Sequence, residues 1–125
     1  MNYLLDTHVF LWFIGAPEKL SSEAIDSIRN PRNAVFVSAV TAIEIAIKTA
    51  LGKLKAPADL EDEIAARGFS HLPVHYRHGA ALQSLSLHHQ DPFDRLLICQ
   101  AMTEKLTLVS HDRKFDAYGV DILWT

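Results

Sequence analysis

The chain has almost no cysteine. Cys99 stands alone among 125 residues, so no disulfide can close within it, and a reducing cytoplasm is the expected setting. No apolar run is long enough for a membrane span, and the first residues, MNYLLDTHVF, lack the basic start of a secretion signal. A basic excess is missing too. Twelve Lys and Arg stand against fifteen Asp and Glu, for a formal net charge of -3. That balance counts against a broad nucleic-acid-binding surface, although acids gathered at one site would inflate the negative count without making the whole surface acidic. The five glycines form no phosphate-cradling loop, which argues against a P-loop nucleotide hydrolase. The seven histidines form no zinc pattern: H-E-x-x-H is absent, and His75 and His78 lack a third ligand nearby. His88 and His89 read as loop residues.

What is present is ordinary for a globular chain. Hydrophobic residues make up 49% and charged residues 22%, which argues against disorder, and the length fits one domain over residues 1–125. Short apolar stretches read as buried strands at Tyr3 to Leu5, Ala34 to Val37, Phe69 to Val74 and Leu106 to Val109, with an edge strand at Val120 to Trp124. Helical patterns fall between them, over Val9 to Ile14, Ser22 to Arg29, Ala39 to Leu51, Leu60 to Arg67, Tyr76 to Leu85 and Pro92 to Lys105. Such alternation predicts an α/β domain with a central, mostly parallel sheet of four to five strands.

The informative residues are acids in unusual places. In LHHQDPFDRLLICQAM, Pro92 suits a first helical turn and Asp91 the N-cap before it. Asp94 then heads the row Leu97, Ile98, Ala101, an apolar face that should turn inward, and an unpaired buried charge is costly. Asp6 follows the strand YLL directly, and Asp112 follows LTLV by three residues. Both therefore sit at carboxyl ends of strands, where open parallel sheets bind ligands. Glu44 lies in SAVTAIEIAIKTAL, a helix apolar around most of its circumference, with Lys48 placed for an ordinary i,i+4 ion pair. Each acid alone has a structural explanation as a cap, a turn residue or a surface pair. Together they point to one acidic pocket.

Such a pocket needs a cation. Two carboxylates ~4 Å apart repel by about 4 kcal/mol at an effective dielectric near 20. All-oxygen ligands select hard ions, chiefly Mg2+ or Mn2+. A divalent ion acidifies bound water and offsets charge on a phosphoryl transition state, so the reaction class suggested is phosphodiester hydrolysis.

Four stretches in order, LLDTHVFLW, SAVTAIEIAIK, HHQDPFDRLLICQA and LVSHDRKF, resemble the PIN-domain nucleases, in particular the VapC-type toxins of bacterial toxin–antitoxin pairs. The resemblance spans nearly the whole chain. It implies a three-layer α/β/α fold and carries the family's catalytic and metal-binding acids to Asp6, Glu44, Asp94 and Asp112. It also gives Ser110 and Thr7 supporting roles in orienting a ligand or water. Further implications are a Mg2+- or Mn2+-dependent endoribonuclease leaving a 5′-phosphate and a 3′-hydroxyl, a homodimer, and a small antitoxin that blocks the site. Trp12, Phe13 and Leu51 are candidates for an antitoxin groove, each with a competing place in the core.

Arg95, Lys48 and Arg113 are candidate phosphate contacts, Arg95 by its adjacency to Asp94. Cys99, in the apolar part of its helix, reads as core rather than nucleophile. Two other readings compete with the nuclease. A signalling receiver domain shares the length and an acidic pocket, but AVFV ends in Ser38 rather than a phosphoacceptor Asp, and no Lys directly follows LTLV. A non-catalytic module could use the same fold only to hold a protein partner.

Overall fold

Strands made of consecutive apolar residues need cover on both faces, and this chain supplies it. A computed structural model describes residues 1–125. Its elements are β1 (Asn2–Leu5), α1 (Thr7–Gly15), α2 (Ser22–Arg29), β2 (Ala34–Ser38), α3 (Ala39–Ala50), α4 (Leu60–Ala66), β3 (Ser70–Leu72), α5 (Tyr76–Ala81), α6 (Pro92–Glu104), β4 (Thr107–Ser110) and β5 (Ile122–Trp124). Short 3-10 turns occupy Pro17–Lys19, Leu82–Ser84 and Arg113–Tyr118. All strand pairs are parallel, with Leu4 beside Phe36 on one side and Leu108 on the other.

Alternation along the strands divides the core. Tyr3, Leu5, Val35, Val37 and Val109 face Phe10 and Phe13 of α1, Ile28 of α2 and Ile64 of α4. Leu4 and Leu108 face the opposite way, onto Leu97, Ile98 and Ala101 of α6 and onto Phe115. The result is a three-layer α/β/α fold. Each fully buried Leu or Ile in it contributes about 1.5–3 kcal/mol by leaving water. The inward row expected below Asp94 is indeed the buried stripe of α6.

Departures from the sequence reading have local causes. α1 begins at Thr7 rather than Val9, because Asp6 caps it by accepting the Val9 N–H at 2.8 Å. The helix expected over Tyr76 to Leu85 tightens into a 3-10 turn at Leu82. Only Ser70–Leu72 pair within FSHLPV, since Pro73 has no N–H to give a ladder. The largest surprise is α3: Ile43 and Ile47 are exposed at 50% and 44%, while Glu44 between them is 3% exposed. Here the polar residue points in and two isoleucines point out.

The strand order is β3-β2-β1-β4-β5. From β1 the sheet grows outward to β3, and the chain then returns to the other flank of β1 for β4. The crevice at the carboxyl ends of β1 and β4 is thus the topological switch point, where open α/β sheets hold ligands. A receiver domain has the order 2-1-3-4-5, so the topology sets that reading aside. No helix is long and apolar enough to cross a membrane.

Candidate active site

Asp6 leaves β1 at the switch point. Its N–H still bonds to the Val109 carbonyl of β4 at 3.1 Å, which locks the two strand ends together. One carboxylate oxygen caps α1, and the other accepts the hydroxyl of Ser110 at the end of β4. That hydroxyl also accepts the Asp112 N–H at 3.0 Å. Ser110, fully buried, therefore sets both the Asp6 rotamer and the path of the loop carrying Asp112. Burial pushes the Asp6 pKa up, against the opposing pull of Ser110, the Val9 N–H, His8 and His111.

Glu44 reaches the same place from α3, which starts without a linker after β2 and is capped by Ser38. Its carboxylate accepts the Thr7 hydroxyl at 2.6 Å and pairs with Lys48. Thr7 also lies 3.1 Å from the Thr41 hydroxyl, so a buried hydroxyl pair holds Glu44 from behind. The hydrogen bond to Glu44 raises the Lys48 pKa, and the charges of Asp91 and Asp94 add to it.

Asp94 enters on the first turn of α6. Asp91 caps that helix, accepting the N–H groups of Phe93 and Asp94 at 2.9 and 3.1 Å. Burial raises the Asp94 pKa to about 7, helped by the negative charges of Asp91, Glu44, Asp6 and Asp112. Asp112 is half-buried; it accepts the Lys114 N–H at 3.0 Å, and the Lys114 ammonium lies 4.0 Å away.

These groups share one cleft of about 120 Å³, lined by Asp6, Thr7, His8, Glu44, Lys48, Asp91, Asp94, Asp112, Lys114 and Phe115. The four acids read from the sequence are brought together, and Thr7 and Lys48 with them. Ser110 sits one layer behind, on Asp6. Arg95 and Arg113 are not among the residues lining the cleft. Arg95 points away from its neighbour Asp94, donating to the carbonyls of Leu85 and Ser86, because consecutive helix residues project in different directions. The Arg113 guanidinium stacks 4.2 Å from the Trp124 ring centroid. Phe13 is core, Trp12 is half-buried and Leu51 is exposed. Sequence reasoning missed Lys114 and His8, and it assigned Asp91 only a cap. Each missed side chain lies within three residues of one of the four acids, which was the available signal.

The donor set suits a hard divalent ion. Five carboxylates face two lysines in the cleft, and burial together with the neighbouring negative charges pushes the Asp94 pKa up to about 7, a penalty that a cation would relieve. No three of these side chains form a ready-made cage. An ion that keeps several waters and takes only one or two carboxylates directly, as Mg2+ does, needs none.

The Ser110 hydroxyl gives a direct test of the arrangement. Ser110→Ala leaves a buried carboxylate short of a donor and is expected to destabilise the fold by about 2 kcal/mol. Urea unfolding near pH 8, with Ser110→Thr restoring most of the loss, measures it.

Comparison with known proteins identifies the family and the fold. The PIN domain family model matches residues 3–121, so the chain belongs to the PIN-domain family. Among solved structures, it is similar to a chain of VapBC2 from Rickettsia felis bound to a promoter DNA fragment, at 16% identity and TM-score 0.74, with 98% of each chain covered. A chain of DNA-bound VapBC from Salmonella typhimurium matches at 17% identity and TM-score 0.71, covering 98% of this chain and 97% of that one. A chain of VapBC-5 from Mycobacterium tuberculosis matches at 20% identity and TM-score 0.61, covering 99% and 98%. No curated protein sequence matches.

Proposed function

We propose that the chain is a VapC-type endoribonuclease toxin that hydrolyses RNA phosphodiesters with Mg2+ or Mn2+. The observation carrying this reading is the convergence of Asp6, Glu44, Asp94 and Asp112 on one cleft at the switch point. Asp6, Asp94 and Asp112 would hold the ion, one or two of them directly and the rest through its waters, and Glu44 would complete the set from α3. When bound, the ion lowers the pKa of water and offsets phosphoryl charge. The chain's own contribution is orientation: Ser110 fixes Asp6, Thr7 fixes Glu44, and Lys48 and Lys114 supply positive charge for a substrate phosphate. Cytoplasmic RNA is the substrate class.

A protein partner is part of the proposal. An apolar cleft of about 800 Å³ runs between α3, the segment at Ala56–Leu60 and α4, and it suits a peptide from an antitoxin better than Trp12 or Phe13 would. The exposed row Ile43, Ile47, Leu51 supports a homodimer contact, since large apolar stripes on a surface mark association sites.

Incubation of the protein with mixed RNA and Mn2+ should yield fragments with 5′-phosphate ends, and excess chelator should reduce the rate to background. Cleavage that persists in chelator would exclude the metal mechanism.

A further inference from the structure

One group of aromatic rings stands beside the cleft. His8 and Trp12, one turn apart on α1, meet His111 from the loop after β4. The Trp12 and His111 centroids are 4.5 Å apart, His8 and Trp12 are 5.8 Å apart, and the two imidazoles stand edge to face at 6.4 Å. Both imidazoles are exposed, and His8 lines the acidic cleft itself. The Lys19 ammonium lies 5.5 Å from the Trp12 ring centroid.

A cleft lined by five carboxylates repels a phosphate chain, so much of the grip on RNA must come from flanking groups that are not anionic. Any phosphodiester seated in the cleft brings a sugar and base on each side, and one of those bases would lie against this wall. Every nucleobase offers a π face, and stacking on exposed rings is favourable and tolerant of sequence. Lys19, over the Trp12 ring, adds a positive charge suited to a backbone phosphate.

We propose that His8, Trp12 and His111 form a stacking subsite for the nucleobase adjoining the scissile phosphodiester of single-stranded RNA. The subsite rests on the ribonuclease reading of the cleft. It makes these rings positioning groups for the substrate, with no share in the bond-breaking step.

The test has two stages. Cleavage of a short mixed-sequence RNA by the unaltered protein with Mn2+, lost in Asp94→Asn, establishes the ribonuclease reading; no cleavage overturns that reading and the subsite together. Binding of the same fluorescein-labelled RNA is then followed by anisotropy in the Asp94→Asn background. His111→Ala and His8→Ala are each expected to weaken binding about tenfold. His111→Tyr should restore it, and His111→Leu should not. RNA made abasic beside the cleavage position should bind Asp94→Asn about tenfold more weakly, with no further loss on adding His111→Ala. If His111→Ala leaves binding unchanged, or weakens intact and abasic RNA equally, the subsite is overturned while the ribonuclease stands.

Discussion

Asp94→Asn is expected to abolish RNA cleavage and, in metal-free protein, to raise stability. The activity loss should be on the order of a hundredfold or more, since even groups that only orient metal ligands cost ~10–100-fold when removed. The stability gain follows from proton linkage. The folded chain keeps the Asp94 proton to about pH 7, against an ordinary value of 3.8. Between those values the folded state binds the extra proton, so folding stability falls as pH rises through that window. Every pH unit across the window costs at most about 1.4 kcal/mol. Because Asp94 is partly open to water, the whole loss is discounted to about 2 kcal/mol. Asparagine carries no charge and escapes the loss. Near pH 3.5, below the window, the two proteins should therefore melt together, and near pH 8 the variant should melt roughly 5–10 °C higher. Equal melting temperatures at both pH values would mean that neither burial nor neighbouring charge raises the Asp94 pKa.

The second large effect is stabilisation by the ion. Mn2+ at about 100 times its dissociation constant should add ~2.7 kcal/mol near pH 8, a rise of about 10 °C in melting temperature. Excess chelator should return the protein to its starting point. Below pH 7 the ion must compete with the Asp94 proton, so its affinity should fall about tenfold per pH unit. The double variant Asp6→Asn/Asp94→Asn should show no shift. A rise of equal size near pH 5, or in the double variant, would place the ion elsewhere on the surface and favour a module that only holds a protein partner.

These two experiments concern the same crowding from opposite sides: one deletes a charge and the other neutralises the group. Their joint outcome separates an acid that is expensive for the fold from an acid that is merely a cap. Asp91 is the internal comparison, since it caps α6 through two backbone N–H groups and also bears on Asp94. A residue can hold a structural position and shape the field of a site at once.

The sequence alone determined the alternation of strands and helices, the inward row Leu97, Ile98, Ala101 and the identity of the four acids. Those features rest on local chemistry: apolar periodicity, proline and capping residues act over a few positions. Tertiary structure alone decided that β1 and β4 are neighbours, which is why Asp6 and Ser110, 104 residues apart in sequence, share a hydrogen bond. It also decided the direction of each side chain. Arg95, adjacent to Asp94, turned to the Leu85 and Ser86 carbonyls, while His8 and Lys114 turned to the cleft. Glu44 was buried beside Ile45 while Ile43 and Ile47 were exposed, with Glu44 accepting the Thr7 hydroxyl across the layer. Spacing along the chain states which residues can share a helix face or a strand end; only packing across the sheet states which of those faces meet.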